Sequence, residues 1–97
     1  MDKIRNEETD RLMQAVLKLK NIDECYAFFE DVCTIKEIRS MSQRLSVAEM
    51  LDKKMIYTDI AAATGASTVT ISRVARCLSF GQDGYRLIID RLNGKDD

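Results

Sequence analysis

Ser67, Thr68, Thr70, Ser72, Arg73 and Arg76 crowd short hydroxyls and guanidinium groups into one stretch, and no carboxylate lies between Asp59 and Asp83. Residue types of this kind suit a polyanion. Short side chains let the backbone come close to phosphates, hydroxyls and backbone N–H groups donate to phosphate oxygens, and a guanidinium can hold a guanine edge by two hydrogen bonds. These six are the candidate DNA-binding residues. For catalysis the chain offers little. It has no His, which excludes His-based triads and Cys/His zinc sites. No carboxylate pair, activated nucleophile or phosphate-cradling glycine loop stands out, so no enzyme is expected. Cys25, Cys33 and Cys77 lack C-x-x-C spacing. The first two would stand ~12 Å apart along one helix, beyond the reach of a disulfide. All three are expected to be buried, reduced thiols.

The elements that must position the six residues are legible around them. Thr58 is a good N-cap and Asp59 suits a first helical turn, with Ile60 and Ala61 inward. Ala61 is small, as a close helix crossing requires. Gly65 follows Thr64 where a left-handed residue would let the chain turn without a Cβ penalty. Ser67 then caps a second helix that buries Ile71, Val74 and Leu78, spaced by three and four. The segment 58–78 thus reads as a helix-turn-helix.

Charge follows the same division. The 15 cations and 16 anions nearly cancel, at −1 overall. Residues 1–31 carry a net of −3, residues 32–80 a net of +3 and residues 81–97 a net of −1. The positive region contains the helix-turn-helix, as a nucleic-acid footprint requires.

The rest of the chain reads as helices. There is no Pro, and Gly occurs only at 65, 81, 84 and 94; no period-2 alternation argues for strands. Asn6 precedes the acids Glu7 and Glu8, and Leu12, Val16 and Leu19 share a stripe. Asp23 is expected to cap a second helix with Tyr26, Phe29 and Cys33 on one stripe. Thr34 and Glu37 have capping-box spacing. They start a third helix whose stripe is Ile38, Met41, Leu45, Ala48 and Leu51, running ~18 residues or roughly 27 Å. Asp83 is expected to cap a last helix with Leu87, Ile88 and Leu92 on one side and Ile89 beside them, and residues 94–97 to fray. Ninety-seven residues make a single domain, 1–97. No run approaches the ~18 apolar residues of a membrane span. Residues Met1 to Glu8 have no apolar core of a secretion signal, so a cytoplasmic chain without a membrane partner is expected.

Gln43-Arg44-Leu45, the segment 58–78 with its Thr-Ile-Ser-Arg-Val-Ala-Arg-Cys-Leu run at 70–78, and Phe80-Gly81-Gln82-Asp83-Gly84-Tyr85 together resemble the Trp repressor-like YerC/YecD family of bacteria. The resemblance covers nearly the whole chain. It implies an all-α fold of about six helices with the helix-turn-helix, an intertwined homodimer whose N-terminal helices interlock with the partner copy, and a transcription-regulator role, most simply repression. In the Trp repressor, tryptophan lies between arginines with a threonine nearby. Arg44, Arg73 and Thr34 match those positions and are the candidate ligand-binding residues. Val74, however, stands where the Trp repressor has glycine, and its branched side chain would fill room the indole needs. The segment before Thr58 is also longer. No cofactor, tryptophan included, is therefore expected; Arg44 suits a structural or phosphate role, and Arg73 suits DNA.

Double-stranded DNA and a second copy of the chain are thus the expected partners. The alternative is a helical protein-interaction module without DNA binding. That would call for exposed Leu, Phe or Met anchors on the outer face of the second helix, where hydroxyls and arginines stand instead.

Overall fold

The computed structural model describes residues 3–95, which form six helices and no strand. They are α1 (Glu7–Val16), α2 (Ile22–Val32), α3 (Ile35–Asp52), α4 (Tyr57–Thr64), α5 (Thr68–Phe80) and α6 (Gly84–Leu92). The chain divides between Ile38 and Arg39 into two compact units.

In the N-terminal unit, side-chain caps set the helix starts. Asn6 Oδ1 accepts from Thr9 N at 2.7 Å and from Thr9 Oγ1 at 3.0 Å. The second helix starts earlier than the sequence suggests. Asn21, not Asp23, is its cap: Asn21 Oδ1 accepts from Glu24 N at 2.8 Å, and Glu24 Oε1 accepts from Lys20 N at 2.9 Å. A cap oxygen accepts from the N–H two or three residues on, and with Asn21 as cap Glu24 stands at the third position, from which its carboxylate can reach backward. Asp23 keeps a favourable place in the first turn. The expected capping box at α3 forms, with Glu37 N donating to Thr34 Oγ1 at 3.1 Å and Thr34 N to Glu37 Oε1 at 2.7 Å. These bonds from Thr34 hold the Glu37 carboxyl below its ordinary pKa. Neither α1 nor α2 contains a buried residue. Phe28 and Phe29 meet edge to face at 5.5 Å, while Leu17, Ile22, Tyr26 and Ile35 are all more than 60% exposed.

The C-terminal unit holds the core. Val47, Ala48, Ile60, Ala66, Ile71, Val74 and Ile89 are buried, with Met50, Leu51, Met55, Ala61, Leu78 and Tyr85 packed around them. The α3 stripe is corrected here: Val47 is fully buried and Met41 is exposed. Only the C-terminal half of α3 meets this core, so the helix buries the face turned toward α4 to α6. On α6, Ile89 is the core residue, and Leu87, Ile88 and Leu92 are exposed.

Helix ends are closed by backbone geometry. After α3, Met55 N donates to Met50 O at 3.1 Å and Lys54 N to Leu51 O at 3.0 Å, a Schellman motif with Lys54 at φ 65°. That closure delivers the chain into α4 at Tyr57, one residue before the expected Thr58 cap; Ile56 holds the cap position with no side-chain bond. The same motif closes α6 through Gly94 N to Arg91 O and Lys95 N to Asp90 O, with Gly94 at φ 82°. Of the terminal residues expected to fray, Gly94 and Lys95 make these bonds, and Asp96 and Asp97 lie outside the described residues. Asp83 precedes α6 in a left-handed conformation and makes no side-chain cap bond.

Candidate nucleic-acid interface

Helices α4 and α5 pack against each other across the turn Gly65–Ser67. Gly65 has φ 74°, and its N–H donates to Ala61 O at 2.8 Å. The turn is tied from three directions. Thr64 Oγ1 donates to Ile60 O at 2.8 Å, Ala66 N donates to Thr64 Oγ1 at 3.1 Å, and Gln43 Nε2 on α3 donates to Thr64 O at 3.1 Å. The last bond joins residues 21 apart and satisfies a carbonyl at the end of α4 that has no partner within its helix. Ala66, buried at 5% exposure, plugs the turn into the core.

Ser67 caps α5 as expected. Its Oγ accepts from Thr70 N at 3.1 Å and donates to Thr70 Oγ1 at 3.1 Å. Thr70, half-buried, thus lends its hydroxyl to the cap, with its own proton left to donate outward. Ser67, Thr68, Ser72, Arg73 and Arg76 are exposed. Ile71 and Val74 are buried and Leu78 half-buried, as the spacing predicts. Ion pairing in the C-terminal unit falls elsewhere: Arg86 Nη2 donates to Asp52 Oδ1 at 2.5 Å and Arg86 Nη1 to Asp90 Oδ1 at 3.2 Å. The bond from Arg86 holds the Asp52 carboxyl below its ordinary range and raises the guanidinium in turn. Among the described residues, Arg73 and Arg76 have no ion pair or side-chain hydrogen bond. Two guanidiniums remain open to solvent on a face without a carboxylate.

Sequence reasoning missed two residues on that face. At about 100° per residue, positions 69, 73, 76 and 80 form the line opposite the buried Ile71, Val74 and Leu78. Val69 is 67% exposed and Phe80 is 85% exposed. The signal lies in the spacing: the periodicity that turns Ile71, Val74 and Leu78 inward turns Val69 and Phe80 outward. The cysteines also differ from the expected burial: Cys77 is exposed, and Cys25 and Cys33 are only half-buried.

The ligand-binding candidates belong to both units. Thr34 lies in the N-terminal unit with its hydroxyl engaged by the α3 cap, and Arg44 and Arg73 are exposed in the C-terminal unit. None of the three lines the open cavity of about 450 Å³ that Leu45, Cys77, Tyr85 and Ile88 form with the 81–84 turn. Val74 is 1% exposed, packed into the core. Among the described residues no group of His, Cys, Asp and Glu could hold a metal ion, and no helix is long and apolar enough to cross a membrane.

Six helices, with a helix-turn-helix whose second helix carries open arginines, define a small all-α protein. Residues 7–93 match the family model of the Trp repressor protein, and the chain belongs to that family. It is 52% identical over 92 residues to the uncharacterized protein YerC of Bacillus subtilis (strain 168), covering 95% of this chain and 88% of YerC. A crystal structure of a TrpR-like protein from Eubacterium eligens superposes with a TM-score of 0.91 at 53% identity, covering 98% of each chain. That of a candidate Trp repressor from Staphylococcus aureus gives 0.90 at 50% identity, over 94% of this chain and 91% of the other.

Proposed function

We propose that the chain is a bacterial, cytoplasmic transcriptional regulator, acting as a repressor, that binds duplex DNA as a homodimer. The carrying observation is the outer face of α5, where Arg73 and Arg76 are exposed and unengaged and no carboxylate intervenes. In this reading α5 enters the major groove. Ser67, Thr68 and the first-turn N–H groups meet phosphate; Thr70, Ser72 and Arg73 reach base edges; Arg76 neutralises a phosphate. Two-fold symmetry then sets half-sites roughly 34 Å apart.

The exposed apolar surface of the N-terminal unit supports the dimer. Leu17, Ile22 and Ile35 would each gain at most roughly 1.5–3 kcal/mol from full burial, and a second copy can cover them together with Tyr26. Tryptophan has no part in the reading: Val74 is packed where the Trp repressor has glycine, and Arg44 takes a phosphate or structural role.

Phe80 gives the interaction-module alternative its one anchor, but the two arginines between it and Val69 suit a phosphate backbone better than an apolar helix. Two measurements test the proposal. Light scattering should give twice the 11.1 kDa chain mass. Gel shifts on bulk duplex should weaken steeply with added salt. A monomer, or salt-independent retention, refutes it.

A further inference from the structure

We infer that Val69 is a specificity residue that reads the 5-methyl group of a thymine; the inference rests on the DNA-binding reading above. Val69 lies in the first turn of α5, the end of a recognition helix that approaches base edges. It heads the outward line that continues through Arg73 and Arg76 at i+4 and i+7, so it points further from the core than Thr68 or Thr70, which lie on opposite flanks. It is 67% exposed and is not among the buried residues of the core. Neither folding nor the α4–α5 packing accounts for an apolar side chain there.

A recognition helix seated by the two guanidiniums would bring that isopropyl group against the floor of the major groove. The apolar feature displayed there is the thymine methyl. Val69 can neither donate nor accept a hydrogen bond, so its discrimination comes from contact and dehydration alone. The arginines can then read guanine or phosphate at neighbouring steps, and Val69 adds a preference for thymine over cytosine at one position in each half-site.

The test uses the full chain and a duplex selected from random sequence. Each thymine is replaced in turn by deoxyuridine, which removes the methyl and leaves every hydrogen-bonding group unchanged. One position per half-site should lose about fourfold in affinity, the weight of one buried methyl group. Val69→Ala should bind the parent duplex more weakly and lose that uracil sensitivity, with its binding to bulk DNA and its helical content retained. Val69→Thr, which keeps one methyl, should retain part of it. Intact duplex binding that tolerates deoxyuridine at every position, a Val69→Ala chain with undiminished uracil sensitivity, or a selected site lacking thymine overturns this inference alone. Absence of any salt-sensitive duplex binding overturns the DNA-binding reading and this inference with it.

Discussion

Gly65 and Lys54 adopt nearly the same left-handed backbone, at φ 74° and 65°, and substitution should move stability in opposite directions at the two sites. A Cβ built on Gly65 meets nothing within 4 Å, so Gly65→Ala brings no collision, only the backbone term. That term is roughly 1–2 kcal/mol for a non-glycine left-handed residue, offset by the roughly 0.4–1 kcal/mol that alanine removes from the freedom of the unfolded chain. The net loss is about 0.5–1 kcal/mol, or roughly 2–8 °C in Tm for a chain of this size. Gly65→Asn should lose less, because asparagine tolerates this region, and the β-branched Gly65→Val should lose most. Lys54→Gly reverses the same terms and should gain about 0.5–1 kcal/mol. Lys54→Ala, which removes the charge and keeps the strained φ, should not gain. The assay is thermal unfolding followed by helical circular dichroism at one fixed chain concentration, since a dimer's Tm depends on concentration. The reasoning fails if Gly65→Ala matches the parent, if asparagine is no better than alanine, or if Lys54→Gly is no more stable than Lys54→Ala.

Gln43→Met preserves size but strands the Thr64 carbonyl, so a loss of about 1–3 kcal/mol is expected by chemical denaturation; Gln43→Glu should be worse at neutral pH and recover in acid, where the protonated carboxyl can donate. Gly81→Ala has an ordinary φ, but its Cβ would collide with the Cys77 carbonyl oxygen; it should lose about 1–3 kcal/mol in the same denaturation, and Gly81→Asn should give no relief. Asp52 is held below its usual pKa by Arg86, so its pair contributes stability above the unfolded carboxylate pKa and loses it as pH falls through the folded value. The stability gap between the parent and Asp52→Asn should therefore close on acidification, and a gap independent of pH would contradict this. Arg76→Ala should weaken binding on all sequences and flatten the slope of log K against log salt by about 0.9 for each phosphate released, which titration at several salt concentrations reads directly.

Short-range chemistry was readable along the chain because its partners are three or four residues apart. The Asn6 cap, the Thr34–Glu37 box, the Gly65 turn, the Ser67 cap and the inward line of Ile71, Val74 and Leu78 each depend on one helical turn of local sequence. The outward face of α5 follows from the same periodicity. Val69 stands on that outward line, four residues before Arg73 and seven before Arg76.

What local sequence could not settle was selection among near-equivalent residues and pairing at long range. Asn21 and Asp23 are both good caps, and the reciprocal bond that Lys20 N donates to the Glu24 carboxylate singles out the first. Ile89 is buried while Ile88 beside it stays exposed, since α6 meets the core along one narrow face. Gln43 reaches Thr64 across 21 residues and Arg86 reaches Asp52 across 34. Burial and such contacts depend on where a second element lies in space, and one helix's periodicity carries no record of its neighbours.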